Sequence, residues 1–104
     1  LAPLAVDGLR SGLPLGAIGA AQANQRQFAE ATVTFRRRLQ IAEKLGDETA
    51  QAHSLYWLAN MYGAQRKLSD AVAASERAVE IAERVNHPEK DRMRQLRDRL
   101  RQTR

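Results

Sequence analysis

The sequence has no cysteine, and it has few of the residues that interrupt helices. Without cysteine, disulfide bonds, thiolate chemistry and cysteine-based zinc sites are excluded from this chain. It has only three prolines and six glycines in 104 residues, and most of them lie within positions 1–19. Little beyond that segment would break a helix.

Long apolar runs are also missing. No stretch approaches the roughly eighteen apolar residues of a membrane span, and no charged region precedes an apolar segment as in a signal peptide. We therefore expect no membrane partner and a soluble, cytoplasmic protein. The chain starts at Leu1, inside an apolar run and without an initiating methionine. We accordingly expect it to be a fragment of a longer protein.

The residues that are abundant favour helices. Alanine, leucine, glutamate and arginine dominate a composition that is 43% apolar and 28% charged. These residue types have high helix propensity, and a chain of this length can bury roughly two thirds of its unfolded surface. The composition predicts one all-α domain spanning residues 1–104.

An internal repeat of forty residues is the strongest pattern in the chain. Eight of the 32 aligned pairs from 15/55 to 46/86 are identical. The identical pairs are Leu15 with Leu55, Gln25-Arg26 with Gln65-Arg66, Ala31 with Ala71, Arg37 with Arg77, and Ile41-Ala42-Glu43 with Ile81-Ala82-Glu83. Such a period is typical of repeat architectures. It divides the chain into repeat 1 (13–46), repeat 2 (47–86) and a last segment (87–104).

Each repeat has two apolar stripes at the three-and-four spacing of amphipathic helices. The stripes are separated by turns at 24–27 and 65–67. Small residues at 19/59 and 31/71 would let the paired helices approach closely. Gly46 and Asn86 suit left-handed helix ends, Asp47 and His87 can cap the next helices, and Pro88 suits a first helical turn. A fifth helix is therefore predicted from position 88.

The motif of repeat 2 resembles that of the tetratricopeptide repeat. It reads Leu55-x-x-Leu58-Ala59-x-x-Tyr62, followed by Ala71, Ser75 and Ala78. Repeat 1 reads Leu15-x-x-Ile18-Gly19-x-x-Gln22, followed by Phe28, Ala31 and Phe35. Gln22, Ser75 and Arg38 depart from the family pattern. At the position of Arg38 the family usually has a small residue. The period is also longer than the usual 34 residues and is similar to that of a subgroup with extended second helices.

The resemblance implies a right-handed solenoid of two helical hairpins. The last segment shares no identity with a third repeat, but Met93, Leu96 and Leu100 lie on one face of an otherwise charged helix. One apolar stripe is typical of a capping helix that covers the open end of a solenoid.

The family binds peptides on a concave wall formed by the first helices of its repeats. Transferred position by position, this wall contains His53, Tyr56, Trp57, Asn60 and Ala64 in repeat 2. Repeat 1 contributes Leu13, Gly16, Ala17, Ala20 and Asn24. The binding residues we expect are His53, Tyr56, Trp57, Asn60 and Asn24. Of Tyr56 and Trp57, at least one should be partly exposed, either as a binding hot spot or packed against a neighbouring repeat.

Nothing in the sequence marks an active site. His53 and His87 are 34 residues apart and have no histidine or carboxylate partner at metal-ligand spacing, so we expect no metal and no cofactor. No glycine-rich loop follows a strand, and no serine lies in a nucleophile motif. We therefore expect a protein that is not an enzyme.

The formal charge of +5 is concentrated at the two ends of the chain. Residues 1–45 carry +3 and residues 87–104 carry +4, whereas 46–86 carry −2. Arg94, Arg97 and Arg101 share one helical face, where like charges repel unless a phosphate or an acidic surface offsets them. Because no aromatic residues alternate with these arginines, nucleic-acid binding is the least favoured function.

The sequence thus favours a non-enzymatic scaffold that binds a protein or peptide segment on its concave face. Homo-oligomerisation through repeat stacking is an alternative, since a two-repeat stack can leave a terminal face uncovered. A sensor or regulatory segment of a larger regulator is another.

Overall fold

The computed structural model describes residues 14–103, and every helix in that range follows the repeat division. No strand occurs among the described residues, which confirms the all-α prediction. The expectations for residues 1–13, including Leu13 as a wall residue, lie outside this range. Within residues 14–103 there are five helices: α1 (Leu15–Asn24), α2 (Phe28–Leu45), α3 (Glu48–Ala64), α4 (Leu68–Val85) and α5 (Lys90–Thr103).

Each helix packs mainly against the next helix in the chain, so that α2, α3 and α4 each have a neighbour on both sides. Apolar residues from α2, α3, α4 and α5 form one contiguous buried cluster. None of the helices in the described range has the length and apolar character needed to cross a membrane.

The turns within the two hairpins have the same backbone conformation. Arg26 and Arg66, forty residues apart, both have φ of 62°, a left-handed conformation that is uncommon for residues other than glycine. In each hairpin the backbone amide of the residue before this arginine donates a hydrogen bond to the last turn of the first helix. Gln25 N donates to Ala21 O and Gln65 N donates to Met61 O, both at 3.1 Å. The forty-residue period is therefore also a period of backbone geometry.

The junctions after α2 and α4 repeat in the same way. Gly46 has φ of 68° and Asn86 has φ of 55°, so both predicted left-handed helix ends are confirmed. Asp47 then accepts a hydrogen bond from Ala50 N at 3.0 Å and caps α3. His87 Nδ1 accepts one from Glu89 N at 3.0 Å.

The predicted start of the fifth helix was two residues early. Pro88 lies in a turn, and α5 begins at Lys90. The physical reason is the His87 ring. Its Nδ1 accepts a hydrogen bond from the Glu89 amide, and this bond keeps residues 88 and 89 in a turn before the helix. The apolar stripe of α5 is confirmed: Met93 and Leu96 are buried, and Leu100 packs against the same cluster.

Small residues at the helix contacts do allow the close approach that the sequence predicted. Ala31, Ala59 and Ala71 are fully buried. At Gly19 of α1, an added Cβ would lie 2.6 Å from the Cε2 and Cζ atoms of the buried Phe35 ring. Since real Cβ atoms do not approach so closely, the contact between α1 and α2 requires glycine at position 19.

We expect Gly19→Ala to destabilise the fold, because the new methyl must displace the Phe35 ring. The net loss in unfolding free energy should be about 1–2 kcal/mol, as overpacking outweighs a gain of about 1 kcal/mol in helix propensity. Urea unfolding followed by circular dichroism measures it. Gly63→Ala is the matched control, because the nearest atom to its Cβ is Leu100 Cδ2 at 3.9 Å. A Gly19→Ala protein as stable as the Gly63→Ala protein would contradict this account of the contact.

Candidate interaction grooves

All five wall residues predicted for repeat 2, including Ala64, line one groove between α3 and α5. His53, Tyr56, Trp57 and Asn60 are spaced by three, one and three residues, which places them on one face of α3. Together with residues from α2 and α5 they enclose a groove of about 590 Å³, called here the α3–α5 groove. Its complete lining is Phe28, His53, Tyr56, Trp57, Asn60, Met61, Ala64, Glu89 and Arg92.

Trp57 belongs to both the core and the groove. Its indole stacks on the Phe35 ring with centroids 4.9 Å apart and planes 9° from parallel, while its exposed part lines the α3–α5 groove. Tyr56 is also half-buried. The prediction that at least one of these two aromatics is partly exposed is thus confirmed, and stacking on Phe35 holds the indole in a fixed orientation.

Asn60 uses only one of its side-chain hydrogen-bonding positions within the described part of the chain. Its Nδ2 donates to the Tyr56 carbonyl at 3.0 Å, which fixes the amide orientation. Its Oδ1 accepts no hydrogen bond from any residue in the described range and lines the groove with the rest of the side chain. Asn60 can therefore accept a hydrogen bond from a ligand without first breaking its own contact.

A second groove, of about 480 Å³, lies between α1 and α3 and is called here the α1–α3 groove. Gly16 and Ala17 line it, as two of the transferred repeat 1 positions predicted, but Ala20 and Asn24 line neither groove. Asn24 is exposed at the end of α1. The complete lining is Pro14, Leu15, Gly16, Ala17, Arg38, Ile41, Ala42, Leu45, Asp47, Ala50 and His53. His53 lines both grooves and joins them.

Arg38 is the groove residue that the sequence reasoning missed. Its Nη1 hydrogen-bonds to His53 Nδ1 at 2.8 Å and to the buried Ser54 Oγ at 3.2 Å. Burial lowers the pKa of the Arg38 guanidinium, and the Asp47 carboxylate partly opposes that shift. The available signal was the departure from the family pattern, since Arg38 stands where a small residue is usual. Phe28, Glu89 and Arg92 were also missed, because each lies outside the first helices of the two repeats.

His53 is held in its neutral form. Since arginine can only donate, His53 Nδ1 accepts the Arg38 hydrogen bond and the ring proton lies on Nε2. Burial lowers the pKa of His53; the Arg38 and His87 charges add to the shift, and Glu89 opposes it. The His53 and His87 rings are nearly parallel, with centroids 6.5 Å apart. Within residues 14–103, no three histidine or acidic side chains are close enough to hold a metal ion.

The three arginines predicted as a basic face are paired with carboxylates on the protein itself. Arg94 pairs with Glu83 and Asp91, Arg97 with Asp98, and Arg101 with Glu76. The hydrogen bond that Arg94 Nε donates to the Glu83 carboxylate raises the pKa of Arg94. Because Glu83 and Glu76 lie on α4, these pairs attach α5 to α4. The like-charge repulsion that would have favoured a phosphate ligand is therefore offset within the chain.

Comparison of this chain with protein-family models, curated proteins and solved structures found no match.

We expect His53 to make the fold less stable at mildly acidic pH. Its native pKa lies below the ordinary value of 6.5, so the unfolded chain binds the proton more readily. The contribution of neutral His53 is complete above pH 6.5 and is lost as the pH falls through the lowered native pKa. Protonation of Nδ1 also removes the acceptor for Arg38.

The measurement is the urea-unfolding free energy of the parent and of His53→Gln, from about pH 8 to about pH 5. Other groups titrate in both proteins, so the difference between the two curves reports His53. The parent should lose more stability on acidification than His53→Gln does. Parallel curves would show that His53 has the same pKa in the folded and unfolded chains.

Proposed function

We propose that this chain is a non-enzymatic interaction module that binds a segment of a partner protein in the two joined grooves. The observation that carries the proposal is which helices contribute residues to the two grooves. Both grooves are lined by first helices of the repeats, α1 and α3 in the α1–α3 groove and α3 in the α3–α5 groove, together with residues of α2, and they meet at His53. An extended segment could contact α1, α3 and α5 in turn.

The presence of α1 and α3 in these linings supports the proposal that the fold is a tetratricopeptide-like solenoid. In that architecture the first helix of each unit lines the concave surface, and α1 and α3 are the first helices of the two repeats. Glu89, just before α5, and Arg92, in its first turn, add a third wall to the α3–α5 groove. We thus assign α5 two roles, covering the end of the stack and extending the binding surface.

The groove chemistry suits a peptide. Protein recognition sites combine fixed aromatic anchors with a few hydrogen-bonding groups. Here Tyr56 and Trp57 supply the aromatic surface, Asn60 supplies an acceptor for a backbone amide, and Glu89 and Arg92 supply charges of opposite sign. Because Trp57 is already stacked on Phe35, its ordering costs little conformational entropy on binding.

The test is a selection of peptides from a random display library, with the chain immobilised. Selected peptides are then titrated against the parent while the fluorescence of Trp57, its only tryptophan, is recorded. We expect saturable binding that shifts this fluorescence. Asn60→Ala should weaken it about tenfold, equivalent to about 1.4 kcal/mol.

Asn24→Ala is the matched control, since Asn24 is an exposed asparagine outside both groove linings. It should bind like the parent. The proposal would be abandoned if no peptide bound saturably, or if Asn60→Ala and Asn24→Ala both bound as the parent does.

Self-association through α2 is the second candidate function. Leu45 is 75% exposed and Val33 is 68% exposed on this helix. Leu45 also borders a shallow apolar depression with Ile41 and the stems of Arg37 and Lys44. Light scattering at rising concentration should then give a mass above 11.6 kDa for the parent and a lower mass for Leu45→Glu. A constant monomer mass for the parent would refute self-association.

A further inference from the structure

The Arg38 guanidinium is fixed by one of its nitrogens only. Nη1 makes both hydrogen bonds, to His53 Nδ1 and to Ser54 Oγ. Nε and Nη2 donate to no acceptor in the described part of the chain, and no carboxylate there lies within ion-pair distance of this side chain. Nε–H and Nη2–H point in parallel along one edge of a planar guanidinium, and this fork matches the two oxygens of a carboxylate.

The surroundings of Arg38 favour a charged ligand. Leu15, Ala17, Ile41 and Leu45 belong to the apolar lining of the α1–α3 groove, which Arg38 also lines. Burial there lowers the pKa of Arg38, so the charged form gains from any carboxylate that enters. Asp47 also lines this groove and acts on the pKa of Arg38, and its carboxylate accepts the capping hydrogen bond from Ala50 N.

Gly16 of α1 packs on the face of the guanidinium. A Cβ added at this position would lie 3.5 Å from Arg38 Cζ and Nε and 3.8 Å from Nη2, at ordinary contact distance. Because Cζ is as close as Nε and closer than Nη2, the α1 backbone lies over the guanidinium plane and does not stand on the Nε–Nη2 edge.

We propose that Arg38 determines specificity by binding the carboxylate of an acidic side chain within the partner segment. A neighbouring apolar side chain of that segment would pack against Leu15, Ile41 and Leu45. This inference rests on the proposed function and adds to it the chemistry of the partner: an internal Asp or Glu beside an apolar residue.

The experiment uses two random peptide libraries, one displayed as internal segments with constant flanks and one ending in a free carboxylate. The internal library should yield peptides with an acidic residue next to an apolar one. Replacing that acid by its amide should weaken binding to the parent about tenfold, the effect of losing a bidentate charged hydrogen bond. With Arg38→Gln the acid and amide peptides should bind equally.

Two further variants separate binding from folding. Arg38→Lys keeps the charge and a donor near Ser54 but loses the fork, and it should lose most of the preference for the acid. Arg36→Gln removes an exposed arginine of the same helix that lines neither groove, and it should bind like the parent. Circular dichroism and Trp57 fluorescence verify that each variant is folded before titration.

The outcomes separate this inference from the proposed function. Peptides that bind without an acidic residue, or an acid preference that survives Arg38→Gln, would overturn the role of Arg38 and leave the groove function standing. Enrichment in the free-carboxylate library alone would replace the internal side chain with a chain terminus and overturn the proposal as stated. If neither library yielded a binder, both would fall.

Discussion

Phe35 of α2 is completely buried between Gly19 of α1 and the indole of Trp57 on α3. The helices can approach only because position 19 has no side chain, and the Phe35 ring then supports Trp57 from beneath. One side chain therefore connects three consecutive helices. Because tight packing transmits a change in volume at one site to its neighbours, the position of the groove wall on α3 depends on the contact between α1 and α2.

Polar contacts hold the interface between α2 and α3 one turn further along α2. Arg38 lies one turn beyond Phe35 on α2 and reaches across to His53 and Ser54 on α3. These bonds satisfy the buried Ser54 hydroxyl and fix the ring of His53, where the two grooves join. A buried polar group without a partner is costly, so the Arg38 network specifies one arrangement of α2 against α3.

Part of the site could be found from the sequence and part could not. Tyr56, Trp57 and Asn60 were identifiable through the resemblance to the tetratricopeptide repeat, whose groove positions lie on one face of a single helix. Arg38, Glu89 and Arg92 were not, because each reaches the grooves from outside the first helices of the repeats. For the same reason the three arginines of α5 resembled an unpaired basic face. The carboxylates that neutralise two of them lie 11 and 25 residues away in the chain.

What the sequence determined by itself is local. The helices and the left-handed ends at Gly46 and Asn86 follow from residues within about one turn of each other, where spacing and backbone preference decide the conformation, and the forty-residue period repeats these local patterns. What the tertiary structure decided is which distant side chains meet: Phe35 with Gly19 and Trp57, and Arg38 with His53. Those contacts depend on how the helices are placed in space. Amphipathic spacing predicts which face of a helix is buried, but it does not predict which residue of another helix that face contacts.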